Sequence, residues 1–364
     1  MKLREITAFF ERLAPLMYQE SYDNSGLQIG DYAMEVSGAL VTLDITGEVI
    51  DEAIRKQVNL VIGHHPLIFG GLKSITGKNM TERVVQKAIK NDIAIYAVHT
   101  NLDVIQQGVS GKICEVIGLK NNRILEPAGG VLKKLVVFVP SGHAEKVRQA
   151  LFAAGAGMIG NYDSCSYNTE GEGTFRGGGN TNPFVGEQGE LHFEPEVRIE
   201  TIFPEHVKGM VITAMLQAHP YEEVAYDIYP LENKYPGVGM GMIGELETPV
   251  DETEFLSLLR ERFHTGVIRH SALLDKKIRK VAVCGGAGSS LLRKAISEKA
   301  DIFVTGDFKY HQFFDAEGKT IIADIGHFES EQYTREIFYD LLIKNFPKFA
   351  VQLSEVNTNP IKYF

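Results

Sequence analysis

Short runs of wholly apolar residues, closed by polar or glycine-rich turns and separated by helix-periodic stretches, set the strongest limit on how this chain can fold. They lie near residues 38–44, 59–62, 93–98, 280–283, 302–304 and 320–325. A strand without polar alternation needs cover on both faces, and helices between successive strands supply it. The pattern therefore predicts an α/β fold with mainly parallel sheets and helices on the faces. Residues 3–19, with Leu3, Ile6, Phe9, Phe10, Leu13 and Leu16 at helical spacing, predict an opening helix. Residues 46–56, 80–91 and 252–263 predict others, with Thr46 as an N-cap.

The middle of the chain has a different texture. Residues 155–189 hold ten of the 36 glycines, which favours loops and turns over a helix. Around them, strands at 134–139, 197–203 and 225–231, helices at 144–154 and 205–218, and one strand inside 158–170 give the order βαββαβ, a ferredoxin-like split. The expected organisation is an α/β core in two lobes, 1–127 and 236–364, interrupted by an inserted α+β domain, 128–235. The first and last thirds are expected to share one sheet system.

Composition narrows the function. With 364 residues and 44% hydrophobic content the chain can build two or three cored domains. A net charge of −10 argues against dominant binding to nucleic acid or anionic membrane. No apolar run approaches the ~18–20 residues that cross a bilayer, and the N-terminus does not read as a signal peptide. Cys114, Cys165 and Cys284 form neither a disulfide framework nor a metal knuckle. The expected location is the cytoplasm.

Ligands of open α/β sheets gather outside the carboxyl ends of the strands. Three such ends carry metal-type side chains: His64 and His65 after one, Asp103 after another, His327 with Glu331 after a third. Each segment alone reads as an ordinary loop or surface contact. Together at one sheet edge they read as a site for a borderline divalent ion, Zn, Mn, Fe or Co. Five ligands exceed the usual protein share of one open zinc site, and a bridging carboxylate could serve two ions. His99 reads as an orienting residue, with direct ligation as the rival. His311 is either an acid–base or phosphate contact, or a surface histidine. Gly286, Gly288 and Ser289 lie in a turn whose backbone N–H groups could hold a phosphate, or which is simply a tight turn under a packed helix.

These residues resemble the Nif-three-like family, also called the GTP cyclohydrolase I type 2 homologues. The matching pieces are Asp23-Asn24-Ser25-Gly26-Leu27, Gly63-His64-His65-Pro66, His99-Thr100-Asn101-Leu102-Asp103, Thr305-Gly306-Asp307 and Gly326-His327-Phe328-Glu329-Ser330-Glu331. The resemblance implies two divalent metal ions per chain, with His64, His65, Asp103, His327 and Glu331 as ligands and Glu331 bridging. It also implies a ring-shaped homohexamer whose sites face an internal cavity. The middle segment, with Ala218-His219-Pro220-Tyr221-Glu222-Glu223, is similar to the PII/CutA-like insert of longer members. Tyr22 stands where the family usually has Trp.

Two functions follow. One is a metal-dependent hydrolase of a nucleotide or another phosphorylated or cyclic small molecule, with His99 or His311 handling protons. The other is a regulatory, metal-sensing or metallochaperone ring whose insert binds an effector. A ring that binds DNA or protein is a third reading, and the negative charge counts against nucleic acid.

Overall fold

The computed structural model describes residues 1–364. It divides into two compact units, one of Met1–Glu126 with Gly237–Phe364 and one of Pro127–Pro236. No helix is long and apolar enough to cross a membrane.

The first unit holds two sheets. One has the strand order Gly26–Ile29, Ala94–Ala97, Leu60–Gly63, Gly38–Thr42, Ala350–Leu353. Every pair in it is parallel except the first. The three central strands are buried throughout, as covered parallel strands must be. Leu40, Val61 and Ile95 pack on helices Gly47–Arg55 and Met80–Lys90 through Val49, Ile50, Val84 and Val85. Thr46 caps the first of these helices, its side chain accepting from the Val49 amide. In the other sheet, Ile278–Ala287, Ile302–Gly306 and Ile321–Asp324 run parallel, flanked by antiparallel Tyr235–Val250 and Arg269–His270.

Several expectations need correction. The opening helix stops at Leu13, because Ala14 precedes Pro15 and is pushed out of the helical region, to φ −129°, ψ 80°. A short 3-10 turn, Leu16–Tyr18, follows. The outer thirds do not share one sheet but exchange strands between two. Ala350–Leu353 returns from the C-terminus to pair with Gly38–Thr42, while Lys120–Ala128 edges the other sheet. Residues 285–287, expected as part of a turn, continue strand Ile278–Ala287. Its register against Ile302–Gly306 shifts between Val283 and Ala287, a bulge beside the strand ends.

The second unit is the βαββαβ sequence. Its four strands lie in the order Tyr167–Arg176, Leu191–Pro204, Leu132–Pro140, Tyr226–Leu231, all antiparallel. The strand placed inside 158–170 starts at Tyr167 and runs on to Arg176, because an exposed edge strand tolerates Gly171 and Gly173. Leu135, Val137 and Val139 form the core with helices Ala144–Ala153 and Lys208–Ala218. Their alternation turns Phe138 to the opposite face.

The returning C-terminal strand is secured by Glu52, which is 1% exposed. Its carboxylate accepts from Ser354 Oγ at 2.6 Å and the Glu355 amide at 2.9 Å, and pairs with Lys56 Nζ at 2.8 Å. Glu52→Ala strands these buried donors. We expect a loss of about 2–3 kcal/mol in denaturant unfolding, with faster hydrogen exchange over 350–353. Unchanged exchange there would refute this role.

Candidate metal centre

Register assembles the site. Thr42 pairs with Gly63 and Gly63 with Ala97, so Asp44, His64, His65 and His99 leave one sheet edge side by side. In the other sheet, Ala287 pairs with Gly306 and Thr305 with Asp324, which aligns Gly286, Asp307 and His327. The helix His327–Glu331 then presents His327 and Glu331 one turn apart.

The five expected ligands meet. Glu331 Oε2 lies 3.0 Å from His65 Nε2 and 3.1 Å from His327 Nε2, and Glu331 Oε1 lies 3.8 Å from His64 Nε2. His64 Nε2 is 3.6 Å from Asp103 Oδ1, and the Nε2 atoms of His65 and His327 are 3.4 Å apart. His99 joins on the other side, its ring centroid 5.2 Å from that of His64 and 5.4 Å from that of His65. Two overlapping donor groups result, His64–His65–His99 and His65–His327–Glu331.

The second nitrogen of each ring explains why Nε2 faces inward. Nδ1 of His64 contacts the Val98 carbonyl at 2.8 Å, that of His65 Asp44 Oδ1 at 2.7 Å, that of His99 Asp23 Oδ1 at 2.8 Å, and that of His327 Asp307 Oδ2 at 2.7 Å. All four partners only accept, so Nδ1 carries a proton and Nε2 is the atom left to take a cation or a second proton. Sequence reasoning did not assign the supporting roles of Asp23, Asp44 and Asp307. The strand-end rule that found the histidines also reaches Asp44 and Asp307, but Asp23 lies in a turn.

Within this cluster, His64 Nε2 and Asp103 Oδ1 are buried without any hydrogen-bond partner. Buried polar atoms are rarely left so, and imidazole and carboxylate ligand atoms converging at this spacing fit a divalent cation.

Electrostatics points the same way. Burial works against charge on Glu331, but His327, His64 and His65 around it hold its carboxyl well below the usual range. Burial and then the Glu331 charge push Asp103 up. Burial lowers His64. In His65 burial is outweighed by Asp44 and Glu331, which push it up to about 10. Glu331 and Asp307 likewise push His327 up to about 9 against its burial. Metal-free, the site keeps protons where a cation would sit.

For the glycine turn and for His311, each open to two readings above, the geometry favours the structural one. The Gly286 amide donates to Ser330 Oγ at 2.9 Å and the Gly288 amide to Thr305 Oγ1 at 3.0 Å, while Ser289 Oγ accepts from Gln312 Nε2 at 3.1 Å. These groups are spent inside the fold, and the following helix, Leu292–Ser297, is short. The glycines serve close approach instead. At Gly286, φ is +59° and a Cβ would lie 2.4 Å from Glu331 Oε1. His311 is exposed on the 3-10 segment Tyr310–Ala316, against Tyr310 and Phe314. Phe308, Phe313 and Ala316 turn that segment's other side to the core, which leaves His311 the surface histidine of the alternative above.

A cavity of about 520 Å³ opens onto the cluster, lined also by Tyr22, Phe69 and Met240. Tyr22 and Phe69 are 64% and 50% exposed at its edge.

Two outcomes follow. Histidines raised above their ordinary 6.5 stabilise the metal-free fold below that pH and lose the contribution as pH rises through about 9 to 10. The melting temperature of chelated protein should therefore fall over this window, and that of metal-loaded protein should not, since bound imidazoles are already neutral. Parallel pH profiles would overturn the assignment. Gly286→Ala should displace Glu331 and weaken metal binding at least about tenfold by titration calorimetry, with the far-UV spectrum kept.

The comparisons agree with this architecture. Residues 1–360 match the family described as Duf34/NIF3 (NGG1p interacting factor 3). A Bacillus subtilis protein named GTP cyclohydrolase 1 type 2 homolog is 40% identical over 365 residues, covering 99% of this chain and 98% of its own length. A relative of the same name from Halalkalibacterium halodurans is 41% identical over 364 residues, with 98% of each covered. Among solved structures, a Bacillus cereus protein related to NIF3 superposes with a TM-score of 0.86 at 41% identity, covering 100% of this chain and 99% of that one. The chain belongs to the Duf34/NIF3 family.

Proposed function

We propose that His64, His65, Asp103, His327 and Glu331 hold two divalent metal ions of the Zn, Mn, Fe or Co type. On this reading the protein is a metal-dependent hydrolase of a nucleotide or another phosphorylated or cyclic small molecule. The observation that carries the proposal is the pair of buried, unpartnered atoms His64 Nε2 and Asp103 Oδ1, from separate segments and 3.6 Å apart, with Glu331 Oε1 3.8 Å from the same nitrogen. The two oxygens of Glu331 face different imidazoles, Oε1 toward His64 and Oε2 toward His65 and His327, which suits a bridging carboxylate. Bound there, such ions supply an activated water and offset charge that develops on the substrate.

The chain's own residues do the rest. Asp44 and Asp307 fix the tautomers of His65 and His327. His99 is held by Asp23 and stands beside the cluster in the cavity wall, placed to take or give a proton at Nε2. Tyr22 and Phe69 offer two rings at the cavity edge for the flat part of a substrate. The assembly proposed for the chain is the homohexamer that the family resemblance suggests.

Elemental analysis of protein purified without chelator or affinity metal tests the site. About two transition ions per chain are expected, and His64→Ala and Glu331→Ala should each lose them. A nucleotide and phosphoester panel with added Mn or Zn tests the activity, with Glu331→Gln slower than wild type by at least about 100-fold. Equal rates in both proteins would take the cluster out of the chemistry, and bound metal without turnover would favour sensing or storage.

A further inference from the structure

The βαββαβ unit has its own cavity of about 540 Å³, in which the metal cluster takes no part. The two helices cover one face of the sheet, and the cavity uses residues of the other. Phe138 stands opposite Arg198 there, and Glu196 stands opposite Gly171. Gly171 and Gly173 share that face of the edge strand, so two side chains are missing where neighbours would fill the space. A Cβ at Gly171 would meet nothing within 4 Å, whereas one at Gly173 would lie 2.2 Å from Glu196 Oε2. The Glu196 carboxylate is thus tucked beneath Gly173.

Glu196 is 8% exposed and makes no ion pair. Its support is the Tyr221 hydroxyl, which donates to Oε1 at 3.0 Å. A hydrogen bond stabilises a buried carboxylate but leaves its charge uncompensated. The neighbouring walls are aromatic: the Tyr221 ring centroid lies 5.7 Å from that of Phe175 and 6.4 Å from that of Phe184. Glu196, Glu222 and Glu223 line the cavity against one arginine, Arg198, which is already paired with Glu200 at 2.9 Å, while Glu170, Glu172 and Arg176 alternate to the other face of the edge strand. Aromatic faces and a surplus of carboxylates attract cations and repel anions.

We propose that this cavity binds a small organic cation, an ammonium group on an apolar or ring-bearing body. The ammonium sits on Glu196, and the body packs against Phe175, Phe184 and Tyr221. This site is independent of the metal centre and of its chemistry.

The test is calorimetric titration of the full-length protein with phenethylamine, 2-phenylethanol and phenylacetate, which share a ring and differ in charge. Wild type should bind the amine at least about tenfold more tightly than either other probe. Glu196→Gln, which keeps the shape and the bond from Tyr221, should erase that preference. Gly171→Leu, placed in open space, should abolish amine binding by filling the cavity. The far-UV circular dichroism spectrum and the thermal unfolding transition should stay at the wild-type level in both variants, as a check that the fold survives. The proposal is overturned if wild type shows no saturable amine binding, if the alcohol or the acid binds as well as the amine, or if Gly171→Leu binds the amine unchanged.

Discussion

Four imidazoles around the cleft are anchored at Nδ1 by groups that can only accept a hydrogen bond, and this one constraint organises the rest of the site. It fixes the tautomer and aims the Nε2 lone pairs toward a buried carboxylate. Without a cation, those lone pairs and the oxygens of Glu331 and Asp103 are mutually repulsive. The metal-free protein relieves this by protonating His65 and His327. Metal and proton therefore compete for the same small volume.

Such an arrangement demands backbone that can come unusually close. The bulge between Val283 and Ala287 brings Gly286 against Glu331, where a side chain would collide with the carboxylate, and Gly285 against Val109, where a Cβ would lie 2.4 Å from Cγ1. Gly306 does the same against the backbone of His327: an added Cβ would lie 2.9 Å from its amide nitrogen. Buried Asp324 steadies the residue after Asp307 and the residue before His327. It accepts from the Phe308 amide at 2.9 Å and the Gly326 amide at 3.1 Å. Glycines and an internal carboxylate here serve the geometry of a ligand set, not a bound anion.

The same distinction decides what could be read from the chain. The short apolar strands were legible because full burial on both faces removes polar alternation, and the residues at their ends were legible because parallel register lines those ends up. The glycine turn could not be decided from the chain between an anion cradle and a tight turn. Its amides are satisfied by Ser330 and Thr305, and no local pattern announces partners so far along the chain. The Pro15 break was legible by a local rule, since the residue before proline leaves the helix, but the periodicity of Leu3 to Leu16 ran across it. Strand Ala350–Leu353 was illegible for the opposite reason. Its four residues have little periodic signal, and its place is set by the strand it joins and by Glu52.

That last strand shows how the site depends on the whole unit. Beyond it the chain reaches both halves of the cluster. Thr358 Oγ1 donates to Asp44 Oδ2 at 2.5 Å, and Asp44 holds His65. Asn359 Nδ2 donates to Glu329 Oε1 at 3.1 Å, on the helix that carries His327 and Glu331. Consecutive residues of one segment thus brace ligands that come from different sheets. A cation drawing those ligands together strengthens contacts that also hold the C-terminal segment in place. By reciprocity, anything that loosens the segment weakens the hold on the cation. Metal affinity and the packing of the final strand are therefore two readings of one equilibrium, which is why a buried carboxylate such as Glu52, remote in sequence from every ligand, belongs to the physics of the site.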